Sequence, residues 1–409
     1  MKWPFARPSR KAASSADLFR ELAGGAVSKS GVRVTQDTVL EAGVAMACAR
    51  VIAEGLAQVP CRLMELIGDT RRAAVDHASF AKLASRPNPR MTSYEFFESM
   101  GLHLVLAGNF YAFKTVVGGA VRELIPIVPS AVTVKRDKAL QDPVYEVRID
   151  NTTLTLGPEQ IWHVRGPSWN GWMGLEGVRM AREAIGLSMA AEEHTSRSFS
   201  NGAALGGILS TDSVLKQDQV DALRTQWEKT YGGVENAFKT AILWGGLKWH
   251  PRAQQNDQAQ LVEQRRFQVE EVCRAFRVLP IMIGYSDKTA TYASAEQMFL
   301  AHVVHTLGPW YRRVEQSIEA NLLSEADRKR GIYVKFVVQG LLRGAAKDRA
   351  EYFTKALGAG GSPAWMTQDE VRALEDLNPM GGAAAVLPVA TNVTPAPDTD
   401  TGGDDDGAP

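Results

Sequence analysis

The residues whose types could do chemistry are few, and their spacing assembles no site. His302 and His305 stand three apart in a helical stretch, which can bring two imidazoles to one face. Zinc would need further ligands, and no Cys or carboxylate is placed to supply them. Glu192-Glu193-His194 offers the residue types of a general base. Adjacent helical residues point in different directions, so the run reads as a solvated or subunit-facing patch. Gly24-Gly25-Ala26-Val27-Ser28-Lys29-Ser30 is the nearest run to a phosphate loop, but its Lys does not follow a second Gly in the order GxxxxGK[ST]. There is no HExxH, no GxGxxG after a strand and no G-x-S-x-G elbow. A hydrolase built on His163 or His194 would need acid and base residues converging on one pocket, and no such constellation is visible. Cys48, Cys61 and Cys273 are odd in number and widely spaced, a pattern for neither a metal site nor a disulfide framework. They read as buried free thiols in a reducing compartment. The sequence therefore leads us to expect no catalytic residue, no metal and no cofactor, in a protein that is not an enzyme.

The chain has 409 residues, with 46 Lys plus Arg against 46 Asp plus Glu, so its formal charge is zero. Hydrophobic residues make up 45%, which excludes wholesale disorder, and three cysteines in this length exclude a disulfide scaffold. A high-affinity nucleic-acid clamp is excluded as well, because such proteins carry an excess of Lys and Arg. Setting aside the four basic residues of 1–11 and the five Asp of 381–409 leaves the body at +1. The body is itself balanced. No run approaches the ~18 apolar residues of a membrane span, and no secretory signal is seen. Residues 1–35 read as a flexible arm, and 381–409 as a disordered acidic tail too poor in apolar surface to offset ordering entropy.

Between these ends the pattern is α+β. A helical pattern from Val39 to Val59 ends at Pro60, and a strand-like Cys61 to Ile67 follows. Thr92 and Glu95 form a capping box for a helix that stops near Gly108. Short strands then run from Phe110 to Arg165, with Gly118-Gly119 as a hairpin signal. Leu175 to Asn201 reads as one helix. Two further helices, Leu215–Tyr231 and Asp257–Arg277, follow, with a strand at Thr240–Trp244 between them. A long helix spans Tyr292–Leu323. Gly308-Pro309 sits inside it, where Pro removes a ladder bond and predicts a kink. A strand over Ile332–Val338, a helix over Ala345–Leu357 and a last helix capped by Thr367 and Glu370 complete the pattern. Trp169 and Trp172 lie in the Gly-rich turn Gly166–Gly174, where they either mark a contact surface or pack on their own subunit.

The order of motifs resembles the portal proteins of tailed phages, in the siphovirus-type family also found in prophages and gene transfer agents. The resemblance rests on Arg86-Pro87-Asn88-Pro89, on Leu106 to Ala112, on Glu123 to Pro129 and on Ile161 to Arg165. It continues through Gly171 and Gly174, Phe199 to Gly202, Glu263 to Phe267, Ala290 to Glu296, Leu307-Gly308-Pro309 and Thr367 to Arg372. Each motif is weak alone, and their shared order over more than 300 residues is specific. The resemblance implies a ring oligomer, usually a dodecamer, with a β-rich wing (36–174), a first stem helix (175–201), a small α/β clip (202–255) and a second stem helix (256–280). A tunnel loop (281–291), a kinked wing helix with a returning strand (292–340) and a helical crown (341–380) follow.

The same resemblance implies a channel for double-stranded DNA at one capsid vertex, entered and left independently of sequence. Its partners would be copies of itself, the large terminase subunit, a head-tail adaptor and the major capsid protein, in a virion assembled in the bacterial cytoplasm and with no membrane involved. A runner-up reading is a ring-forming scaffold of another machine. On the channel reading, Ser286, Asp287, Lys288, Thr289 and Thr291 form the DNA-facing loop, whose two charges cancel. Lys216, Arg224, Lys229, Lys239, Trp244, Lys248 and Trp249 form the clip surface for terminase and adaptor. Arg179, Arg182, Glu183, Glu192, Glu193 and Arg197 mix both signs along the first stem helix, which reads either as a solvated face or, in a ring, as register-setting pairs between subunits, each worth at most ~1 kcal/mol.

Overall fold

The computed structural model describes residues 27–118, 120–136, 142–200, 207–212, 214–231, 243, 246–251, 258–285, 292–338, 346–359, 363–375 and 377–388. The helices used below are α1 (Gly43–Ala57), α2 (Ser93–Ala107), α3 (Arg182–Ser200), α4 (Gln217–Tyr231), α5 (Gln258–Phe276), α6 (Tyr292–Ala301) and α7 (Gly308–Asn321). The strands are β1 (Cys61–Ile67), β2 (Thr70–Ala73), β3 (Asn109–Val117), β4 (Ala120–Ile127), β5 (Val132–Arg136), β6 (Pro143–Ile149), β7 (Thr152–Leu156), β8 (Ile161–Arg165), β9 (Gly207–Ser210), β10 (Lys248–Pro251) and β11 (Ile332–Phe336). They form small sheets ordered β11-β1-β2, β10-β9, β4-β3-β8 and β5-β6-β7. The chain passes back and forth between two compact units, one of residues 1–58, 94–115 and 124–290, the other of 59–93, 116–123 and 291–409.

The first unit has its core where α2 meets β3 and β8. Phe96 on α2 packs edge-on to Phe110 of β3 and stacks on Trp162 of β8, with ring centroids 5.5 and 6.2 Å apart. All three rings are fully buried. β3 and β8 pair antiparallel from Asn109↔Arg165 to Phe113↔Ile161. Tyr111, Tyr145, Val147 and Ile161 then join this sheet to the β5-β6-β7 meander. The helical side of the unit is α1, α3 and α5. Cys48 on α1 and Cys273 on α5 are both buried, with sulfurs 3.7 Å apart.

The expected helix 175–201 is broken at Ala181 into a single turn, Gly177–Met180, and α3. The expected flexible arm is folded over 27–35. Val27 and Arg33 bridge, Ser28 is buried against Gly186, and the Lys29 N–H donates to Glu183 at 3.0 Å. Residues 1–26 lie outside the described residues.

In the second unit β11 pairs antiparallel with β1, Cys61↔Phe336 to Glu65↔Ile332. The pairing crosses some 270 residues of sequence, and β11 is left as a sheet edge. α7 covers that edge. Glu315 and Glu319, one turn apart on α7, accept the N–H groups of Phe336 and Val334 at 2.8 and 3.1 Å. An edge whose donors are occupied by carboxylates cannot template a further strand. The capping box of Thr367 and Glu370 forms as expected and starts the helix Gln368–Leu374. The expected disordered tail is ordered at its beginning: Asp369 accepts from the N–H groups of Met380 and Gly381, and a short 3₁₀ turn spans Gly382–Ala385. Residues 389–409 lie outside the described residues.

Candidate functional site

Three surfaces of the first unit carry residues singled out in the sequence. One is the pair α3 and α5, which pack on each other. α3 buries Ile185 and Gly186 near its start. α5 buries Gln268, Val272, Cys273 and Phe276 toward its end. Beyond these points, among the described residues, α3 alternates half-buried positions (188–191) with the exposed Leu187, Glu192 and Glu193, and Glu263 to Phe267 are all exposed on α5. Phe267 is 59% exposed and Met180, just before α3, 65%.

The charges expected to pair between subunits have mixed roles within one chain. Glu183 accepts from the Lys29 backbone, and Glu192 lies 4.0 Å from Arg265 of α5. Those two carboxylates already have partners in their own chain, because the folded 27–35 segment and the antiparallel α5 bring donors to them. Arg179 and Glu193 are exposed, and Arg182 is half-buried. Arg197 lies on α3, its side chain outside the described residues.

The second surface is the small α/β piece between α3 and α5. Here β9 and β10 pair antiparallel, Gly207↔Pro251 to Ser210↔Lys248, and α4 carries the exposed Arg224 and Lys229, with Lys216 just before it. Lys248 is bound to Asp212 at 2.9 Å. Trp249 stacks on Trp227 of α4 at 5.4 Å. The half-buried Trp249 thereby links α4 to the β9-β10 ribbon. Lys239, Trp244 and most of the expected strand Thr240–Trp244 lie outside the described residues, as do Ser286, Asp287, Lys288, Thr289 and Thr291.

The third surface is the loop 166–174. His163 sits at its root with both ring nitrogens engaged, Nε2 to Asn109 Oδ1 at 3.0 Å and Nδ1 to the Tyr145 hydroxyl at 3.3 Å. Burial, helped by the Arg165 guanidinium, pushes this imidazole down to about 3. A neutral, fully engaged ring is a structural joint rather than a general base. Asn109 Oδ1 also accepts the Gly174 N–H at 2.8 Å, and its amide donates to the carbonyls of Ala107 and Gly174. The backbones meet so closely that a Cβ on Gly174 would stand 1.8 Å from the Gly108 carbonyl oxygen. Gly108 itself is left-handed, with φ of +72°. Arg136 lies 4.5 Å over the ring of Trp172, whereas Trp169 is 92% exposed.

In the second unit the expected break in the long helix takes a specific form. Residues His302–Leu307 are π-helical, and the Gly308 N–H reaches back five residues to Val303 O. The wider turn gives Pro309, which has no N–H and crowds the preceding turn, its place at the start of α7. His302 is buried and His305 exposed, so the two do not form a shared ligand face. A cavity of about 480 Å³ is lined by Glu65, Arg72, His77, Asp327 and Arg330 among others. Glu65 accepts from Arg72 at 2.8 Å and Arg330 at 3.1 Å, which holds its carboxyl below the usual range, and His77 meets Asp327 at 3.3 Å. These groups neutralise one another and tie β1 and β2 to the helix Glu325–Lys329. No cluster of three metal-ligating side chains is found among the described residues, and no helix among them is long and apolar enough to cross a membrane.

Comparison with known proteins gives this arrangement a family. The phage portal protein family matches residues 44–376, and the chain belongs to it. A probable portal protein of Streptomyces phage phiC31 is 31% identical over 368 residues, covering 87% of this chain and 79% of that protein. A chain from the virion of a native gene transfer agent particle has the same fold, with a TM-score of 0.60 at 23% identity, covering 88% of this chain and 98% of that one. A chain from the neck of such a particle, computed with C12 symmetry, gives a TM-score of 0.57 at 22% identity, covering 84% and 94%. Portal proteins are structural components of the virion, in keeping with a site made of surfaces and joints.

Proposed function

We propose that the protein forms a closed ring at one vertex of a phage or gene-transfer-agent head and serves as the channel through which double-stranded DNA is packaged and released. The observation that carries this reading is the continuous family match over 44–376, which takes in all three surfaces. In the ring, α3 and α5 are the stem helices, each pair tiling against the next copy. The piece from 202 to 255 is the clip, which docks the large terminase subunit before the head-tail adaptor, through Lys216, Arg224, Lys229 and Lys248. The β-rich region faces the major capsid protein. Assembly takes place in the bacterial cytoplasm.

A near-neutral body suits this task. Each phosphate neutralised deepens salt-dependent affinity, and a basic lining would brake a sliding duplex. The loop 281–291 approaches the DNA with Asp287 and Lys288 cancelling. Asp287→Arg combined with Lys288→Arg should slow or stall packaging, and an unchanged packaging rate would remove the loop from the channel. The function as a whole is tested by deleting the gene in a strain that makes the particle. Heads should then be empty of DNA and lack the neck, and normally filled heads would refute the proposal.

A further inference from the structure

The loop 166–174 is held at almost every residue and yet displays one of its two tryptophans to solvent. Ser168 Oγ donates to the Met173 carbonyl at 2.5 Å and accepts the Gly171 N–H at 2.9 Å. Asn170 Oδ1 accepts the N–H groups of Trp172 and Met173 at 3.0 and 2.9 Å. Arg165 reaches over to the Gly171 carbonyl at 2.6 Å, and the Leu175 N–H closes the loop on Pro167 O at 2.7 Å. Gly174 is locked against Gly108 and Asn109 at the root. Fixing a residue's backbone costs about 1–2 kcal/mol, so a loop this ordered needs compensation. Trp172 supplies some by lying under Arg136. Trp169, at 92% exposure, supplies none within the chain.

From this geometry we infer that Trp169 is a preformed anchor that seats on apolar surface of a second copy of this chain. The inference rests on the ring reading above. A rigid aromatic presented in advance loses little freedom on binding, and Trp is the residue most enriched among those that dominate interface energetics. Ring closure is heterologous, so each copy must carry both a projecting element and a different face that receives it. The same unit leaves Met180, Leu187 and Phe267 65%, 49% and 59% exposed, apolar surface that the chain does not cover itself. The tip Pro167-Ser168-Trp169-Asn170-Gly171 carries no charge, which suits an apolar seat on protein.

The test uses the full chain, assembled and dissociated, with hydroxyl-radical footprinting read by mass spectrometry. Oxidation of Trp169 should fall at least tenfold on assembly, while buried Trp162 stays unreactive in both forms. Trp169→Ala should leave the melting temperature of the dissociated chain unchanged and raise the concentration for half-assembly at least tenfold. Trp169→Phe should restore most of the loss. Equal oxidation of Trp169 in ring and monomer, or wild-type assembly of Trp169→Ala, overturns the inference while leaving the ring intact. Protection that appears only when another particle protein is added overturns the choice of a second copy as the occupant. A wild-type chain that forms no closed oligomer overturns the ring reading, and the anchor with it.

Discussion

Trp162 and Trp169 are seven residues apart and have opposite fates. Trp162 is fully buried among Phe96 and Phe110, in a region that completes its core within one chain. Trp169 stands in solvent at the end of a braced loop, and the adjoining helices α3 and α5 leave much of their length uncovered. One region is packed within the chain and the other is open to solvent. The contrast shows where a single chain's stability comes from, and which surfaces contribute little to it.

The sharpest way to break that contrast is to truncate each tryptophan in turn. Trp162→Ala removes a fully buried indole and should destabilise the chain by about 3–5 kcal/mol, seen as a lower midpoint in urea. Trp169→Ala should move the same midpoint by less than about 0.5 kcal/mol. Equal losses would mean that the exposed tryptophan is packed after all. Next in size is Gly174→Ala. Its Cβ would meet the Gly108 carbonyl oxygen at 1.8 Å, so backbone must shift, and a loss of about 2 kcal/mol or more is expected. Faster amide exchange should be confined to 166–175 and the ends of β3 and β8.

The dependence on pH follows from His163, and His103, pushed down by burial to about 4, adds in the same direction. The unfolded chain takes up these protons near pH 6.5 and the folded chain only near 3–4. Stability is therefore full above pH 6.5 and declines as the pH falls. The contribution of His163 is a loss of about 2 kcal/mol at pH 5. Denaturant titrations of His163→Gln should show a shallower decline, and an unchanged slope would remove the histidine from the account. The smallest effect is expected in the open helix pair. Arg265→Ala breaks a 4.0 Å, solvent-exposed contact with Glu192 and should cost the isolated chain less than about 0.5 kcal/mol. A larger loss would show that α3 and α5 are more complete than their exposure indicates.

The same contrast governs what the sequence discloses. Features set by neighbours in sequence are legible there: the Thr367 and Glu370 capping box, the hairpin at Gly118 between β3 and β4, the helix stop at Gly108. Features set by distant partners are not. Nothing in Ile332–Phe336 names Cys61–Glu65 as its mate, and nothing in Ser28 names Gly186. Pro309 announces a disturbed helix, but not the form it takes, a π turn over His302–Leu307. β9 and β10 are too short for a strand pattern, so the Trp227–Trp249 stack that joins them to α4 stays hidden. Trp169 was legible as an aromatic in a glycine-rich turn, but its exposure was not, because that depends on bonds from Arg165 and Asn109 that hold the turn in place.

The central claim is that this chain is unfinished alone and complete in a ring. Native mass spectrometry with negative-stain imaging of the purified full-length protein tests it most directly. The account predicts a closed oligomer with an axial opening wide enough for a DNA duplex. A monomer at all concentrations, or a closed assembly with no such opening, would contradict it.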